Sequence, residues 1–228
     1  MDVGVVGGTG EEGFGLALRL AVAGHHVLIG SRSEERGAAA AERAVAMIPG
    51  PTDVSGGTNE TAAKAEVVFV TVPYEGQAEI YRGLKPHVTG DSIVVDATSP
   101  LATAVGGRAW QVVRPWHGSA AEQARALLGG SVRLVSTFHT IAGGDLRDLD
   151  RRLDSDVLVC GDDPEAKAAT GELIEAIPDL RWVDCGELAQ ARIVEPLTAL
   201  LISINRRYKI RDAGLRITGR PSWGRPTT

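Results

Sequence analysis

The sequence predicts an α/β fold: a doubly wound parallel sheet followed by a smaller C-terminal α/β subdomain. Three observations carry this. Short apolar runs rich in valine recur from the first residues, and alanine-rich helical stretches lie between them. The first run leads straight into a glycine cluster that opens a helix. The 228 residues, 43% of them hydrophobic, hold enough apolar material for a substantial core.

The elements follow in order. Strands are predicted at 2–6, 26–30, 66–72, 92–96 and 132–137. These runs are continuously apolar, as strands buried on both faces must be. Helices are predicted at 12–23, 34–47, 58–64, 75–84 and 119–128. Gly24 ends the first, and Ser119 has the character of an N-cap, with Glu122 three residues on. Strand–helix–strand repetition implies right-handed crossovers and a Rossmann-type sheet. Beyond residue 145 come two more strands, 157–160 and 181–185, around a helix at 164–177. A long helical stretch at 187–209 follows, and Pro196 predicts a kink in it. The resulting division is 1–145 for a cofactor-binding domain, 146–212 for the smaller subdomain and 213–228 for a partly flexible tail.

Composition narrows the function. A net charge of −5 argues against a general nucleic-acid binder. Cys160 and Cys185 cannot make a disulfide framework and read as reduced thiols. The N terminus lacks the basic-then-apolar pattern of a secretory signal, and no apolar run reaches the 18 or more residues of a membrane span. A cytoplasmic protein with no membrane partner is expected. The apolar helix at 187–209 suits either a homodimer face or burial between subdomains.

The most informative stretch is Val5-Val6-Gly7-Gly8-Thr9-Gly10-Glu11-Glu12-Gly13. Gly8, Gly10 and Gly13 fit Gly-x-Gly-x-x-Gly between a strand and a helix, the setting of a dinucleotide pyrophosphate. Gly8 would permit the tight turn, Gly10 the approach of the pyrophosphate and Gly13 close helix–strand packing. Glu11 and Glu12 suit the helix dipole but would repel a pyrophosphate, so both are expected to face solvent. At the end of the second strand, Ser31, Arg32 and Arg36 stand where an NAD site carries an acid. A hydroxyl and two guanidiniums suit a 2′-phosphate, so NADP(H) is the expected cofactor.

Val72-Pro73-Tyr74 and Thr98-Ser99-Pro100 follow later strands and fall at the same crevice, Tyr74 as either a cofactor contact or a packed tyrosine. Tyr81-Arg-Gly-Leu-Lys85 matches the Tyr-x-x-x-Lys pair of short-chain dehydrogenases. It sits early in the chain with glycines wrongly spaced for that family, and it reads as coincidence. No metal-ligand spacing, Gly-x-Ser-x-Gly elbow or Walker A motif is present. His139, after a predicted strand, is either structural or a contact for a second substrate.

Taken together, Gly-Gly-Thr-Gly at 7–10, Leu16–Leu20, Gly30-Ser-Arg32, Ser136–Ile141, Val159-Cys-Gly-Asp-Asp163 and Arg192-Ile-Val-Glu-x-Leu-Thr198 resemble the NADPH-dependent coenzyme F-420 reductases, the deazaflavin:NADP oxidoreductases. The resemblance covers about 1–208. It implies reversible hydride transfer between the nicotinamide C4 and the deazaflavin C5, with no dedicated catalytic residue. Thr9, Gly10, Glu11 and Glu12 would hold the pyrophosphate, and Ser31, Arg32 and Arg36 the 2′-phosphate. Val72, Ser99 and Gly143 would flank the nicotinamide; His139, Arg192, Thr198 and Ala213 would line the deazaflavin side. The chain departs from the family at Ala142-Gly143-Gly144, at Pro196 and beyond Arg211. Residues 206–225 are strongly basic and would attract the anionic deazaflavin tail. The residues leave open an NADP-dependent reductase of another acceptor (imine, flavin or metal complex) and a non-catalytic NADP(H)-binding redox sensor.

Overall fold

A computed structural model of the chain describes residues 1–129 and 132–219. The first part alternates β1 Asp2–Val6, α1 Glu11–Val22, β2 His26–Ser31, α2 Glu34–Met47, β3 Val54–Thr58, α3 Asn59–Ala62, β4 Val67–Val70, α4 Tyr74–Leu84, β5 Ile93–Asp96, α5 Ala120–Leu128 and β6 Arg133–Ser136. The second part adds α6 Gly143–Arg147, β7 Ser155–Gly161, α7 Pro164–Glu175, β8 Leu180–Asp184, α8 Ala191–Val194 and α9 Leu197–Tyr208.

The strands form one sheet in the order β3-β2-β1-β4-β5-β6-β7-β8. Every pairing is parallel except β6 with β7, which is antiparallel. The parallel Rossmann-type sheet of the sequence reading is present in β1 to β6, and the smaller C-terminal part extends it through the one antiparallel pairing. The chain turns back after β6, so the parallel β7–α7–β8 unit joins the edge in the opposite sense.

Alternate strand residues explain the apolar runs. Val3, Val5, Val67 and Phe69 pack on one face with Leu16, Leu20 and Leu146. Val6, Val68 and Val70 pack on the other with Tyr81, Leu84 and Ala124. Both faces are dry, which removes the apolar–polar alternation of a half-exposed sheet.

One strand has no counterpart in the sequence reading. β3 is Val-Ser-Gly-Gly-Thr, with low strand propensity and no apolar pattern. It forms because α2 lies almost on its backbone: a Cβ on Gly56 would stand 2.1 Å from the Gly37 carbonyl oxygen. The predicted break in 187–209 is present. α8 stops at Val194 and α9 starts at Leu197, on either side of Glu195-Pro196.

The tail is packed against β7 and β8 where it is described. At 213–219, Leu215 accepts the Asp156 amide at 2.8 Å and Ile217 donates to the Asp156 carboxylate at 2.6 Å. Leu215 and Ile217 pack against Leu158 and Val183. Residues 220–228 lie outside the described residues. Among those described, no helix is long and apolar enough to cross a membrane.

Candidate functional site

The sheet changes winding direction between β1 and β4, and a crevice opens at the carboxyl ends of these strands. The glycine turn sits there. The residue with positive φ is Gly7 (φ 74), not Gly8, which corrects the expected division of labour. Gly8 is required for another reason: a Cβ would lie 2.8 Å from the Val5 carbonyl oxygen. Gly13 packs α1 onto the strand end, where a Cβ would stand 2.3 Å from Thr71 Oγ1. The Gly7 amide donates to Asn59 Oδ1 at 3.1 Å, and the Thr71 hydroxyl donates to the Val6 carbonyl at 3.0 Å. No side chain caps the N terminus of α1. A cavity of about 600 Å³ adjoins this turn. Gly7, Thr9, Gly10, Ser31, Arg32, Arg36, Val72 and Pro73 line it, as do Asn59, Thr71 and three acids, Glu60, Glu75 and Glu79. Arg32 and Arg36 are exposed, and neither has a carboxylate partner among the described residues. An uncapped helix N terminus at one end and two free guanidiniums at the other fit a phosphorylated dinucleotide.

The two glutamates of the turn part company. Glu11 is exposed, near Arg147. Glu12 is half-buried, and its carboxyl is pushed up to about 8 by burial, with Asp96 adding. The expectation that both face solvent is corrected for Glu12. Gly143, whose Cβ would lie 2.9 Å from the Glu12 amide nitrogen, closes against this first turn of α1. Being neutral at pH 7, Glu12 does not repel phosphate.

A second cluster forms beside the crevice. Ser99 Oγ lies 2.6 Å from Thr198 Oγ1 and 3.3 Å from His139 Nδ1. Thr198 Oγ1 also lies 2.7 Å from the His139 carbonyl oxygen, and Ser136 Oγ 2.9 Å from His139 Nε2. His139 is buried, and desolvation holds its ring down to about 4 against an opposing hydrogen bond with the Ala97 backbone, so it is neutral at pH 7. The preceding residue, Phe138, has φ 68, a conformation bulky residues rarely adopt. Its buried ring meets Phe69 edge-on at 5.9 Å, which fixes the turn that swings His139 back onto Ser136.

Other predicted residues lie elsewhere. Tyr74 does not line the large cavity; its hydroxyl donates to Gln123 Oε1 at 3.3 Å. Arg192 is exposed and pairs with both oxygens of Glu122, at 2.7 and 2.8 Å. Ala213 lines a separate cavity of about 300 Å³ with Thr140, Ile141, Asp145, Arg151 and Arg216. Of the basic segment, Arg216 is neutralised by Asp154 and Asp156, and Arg206 stacks on Trp110 at 4.1 Å. Arg220 and Arg225 lie outside the described residues.

Sequence reasoning missed the polar core behind the site. Asp96, fully buried at the end of β5, accepts from Gln77 at 2.7 Å, the Tyr81 hydroxyl at 3.0 Å and the Thr98 amide at 2.6 Å. Burial still pushes it up to about 6. Tyr81 is thereby a structural donor, with no partnership with the exposed Lys85. An acid closing an apolar strand was the available signal.

A profile of the family described as NADP oxidoreductase, coenzyme F420-dependent, matches residues 2–100. The F420-dependent NADP reductase of Methanothermobacter thermautotrophicus is 42% identical over 225 residues, 97% of this chain and 96% of that one. Its counterpart in Methanocaldococcus jannaschii is 40% identical, over 96% of this chain and 98% of that one. A crystal structure from Arthrobacter sp. FB24, described as a candidate F420-dependent NADP reductase, superimposes with a TM-score of 0.81 at 25% identity, covering 96% of this chain and all of that one. The glycine turn, the paired arginines and the Ser99–His139–Thr198 cluster thus occur in a chain alike over nearly its whole length to these proteins, and the chain belongs to the F420-dependent NADP reductase family.

Proposed function

We propose that this chain transfers hydride directly and reversibly between NADP(H) and the deazaflavin coenzyme F420. The observation that carries the reading is the meeting of Ser99, from the end of β5 in the dinucleotide half, with Thr198 of α9 and His139 at one point beside the crevice. The glycine turn, Gly8 to Gly13, and the N terminus of α1 hold the pyrophosphate. Ser31, Arg32 and Arg36 take the 2′-phosphate, and Val72, Pro73, Ser99 and Gly143 flank the nicotinamide. His139 and Thr198 shape the deazaflavin side, with Ala213 at its edge and Arg192 and Tyr74 bracing it. Residues 1–145 act as the NADP domain and 146–212 as the deazaflavin subdomain.

When both are bound, the hydride on nicotinamide C4 passes to deazaflavin C5, and one proton from solvent completes the reduced deazaflavin. The protein's part is to align the rings and exclude water. His139, neutral at pH 7 with serines on both ring nitrogens, orients rather than donates. Exposed Arg207, Lys209 and Arg211 draw in the anionic tail. The exposed Ile193, Leu200, Tyr208 and Ile210 serve as a homodimer face in a cytoplasmic enzyme.

The test is Arg32→Ala. Losing one bidentate phosphate contact should weaken NADPH binding roughly tenfold to a hundredfold and leave NADH binding within twofold. Equal losses for both nucleotides would remove the 2′-phosphate role.

A further inference from the structure

The side chain at the broken joint between α8 and α9, Glu195, reaches across to α5. Glu195 is 1% exposed. Its two oxygens accept the amides of Ala120 and Ala121, at 2.8 and 2.9 Å, in the first turn of α5. A carboxyl group placed there satisfies two of the amides that the first turn of a helix leaves without a backbone partner. Pro196 follows and supplies no amide, so no continuous helix carries the geometry across the joint. Three residues after Glu195, the Thr198 amide donates to the Glu195 carbonyl at 3.3 Å. The Thr198 hydroxyl then reaches Ser99 and the His139 carbonyl.

We propose that Glu195 is a positioning residue for the deazaflavin side: anchored on α5, it sets where the Thr198 hydroxyl stands against Ser99 and His139. This rests on the assignment of that cluster to the deazaflavin. Glu195 touches no reacting atom and acts only through Thr198, so the two residues must be coupled. A displacement of about 1 Å at such a contact costs on the order of a hundredfold in rate.

A double-mutant cycle tests this with Glu195→Gln, Thr198→Val and the pair, measuring kcat and KM for F420 and the Kd for NADPH. Glu195→Gln is expected to lower kcat/KM for F420 at least tenfold with the NADPH Kd within twofold. Adding it to Thr198→Val should cost less than threefold more. Additive losses, or wild-type kinetics in Glu195→Gln, would overturn the proposal. A wild-type enzyme inert toward F420 would instead overturn the functional assignment. Should Glu195→Gln not fold, Glu195→Asp keeps the carboxyl group but shortens the anchor by one methylene. A raised KM for F420 with unchanged NADPH affinity would then support the proposal, and wild-type kinetics would overturn it.

Discussion

Glu12 sits in the first turn of the helix that, on the proposed function, receives the pyrophosphate, where an ionised carboxylate is adverse. Burial resolves the conflict by holding it protonated to about pH 8. Above that value it ionises and repels phosphate. The NADPH Kd should therefore rise severalfold between pH 7.5 and 9 in the wild type and stay flat in Glu12→Gln. A parallel rise in both, followed by fluorescence titration, would assign the effect elsewhere. This burial was not legible in the sequence, because it depends on parts of the chain that the fold brings to α1, such as Asp96 and Gly143. Ser31, Arg32 and Arg36 were legible because their chemistry is local to one strand end. Asn59, Asp96 and Glu195 were not, because each matters through the partners that the fold brings to it.

At the scale of elements, Arg19 shows how α6 is held where it can press on the turn. From the buried face of α1, its guanidinium donates to the carbonyls of Leu146, Asp145 and Arg151 at 3.0, 3.1 and 2.9 Å, and to that of Asp148. Arg19→Ala strands these acceptors and should cost about 3 kcal/mol in urea denaturation. A loss below about 1 kcal/mol would mean that water replaces it. Most elements were readable because a buried parallel strand is a valine run and a cap such as Ser119 is a local hydrogen bond. β3 was unreadable for the opposite reason: Gly56 is selected by the closeness of α2, whose Gly37 is small for the same cause, a tertiary demand that lowers strand propensity. The antiparallel entry of β7 was hidden likewise, since strand direction leaves no mark on an apolar run.

For the whole molecule, the buried acids set the response to pH. Glu12 and Glu195 keep their protons to about 8 when folded but release them near 4.5 when unfolded, so stability falls as pH rises between these values. His139, held down to about 4, and His25, also lowered, act the other way up to about 6.5. Above 6.5 only the acids remain, and the Tm should drop by a few degrees from pH 6.5 to 8. A flat calorimetric profile would show that these carboxyls are hydrated. The same molecule joins a dinucleotide crevice to a second cluster through Ser99 and Thr198, and on the proposed function that junction is where hydride passes between the two bound rings. The most direct measurement is an anaerobic reaction of the wild-type enzyme with F420 and NADPH carrying deuterium on the transferred side of C4. The deazaflavin absorbance should vanish with one deuterium recovered at C5. NADPH left unoxidised, or deuterium appearing in water, would contradict it.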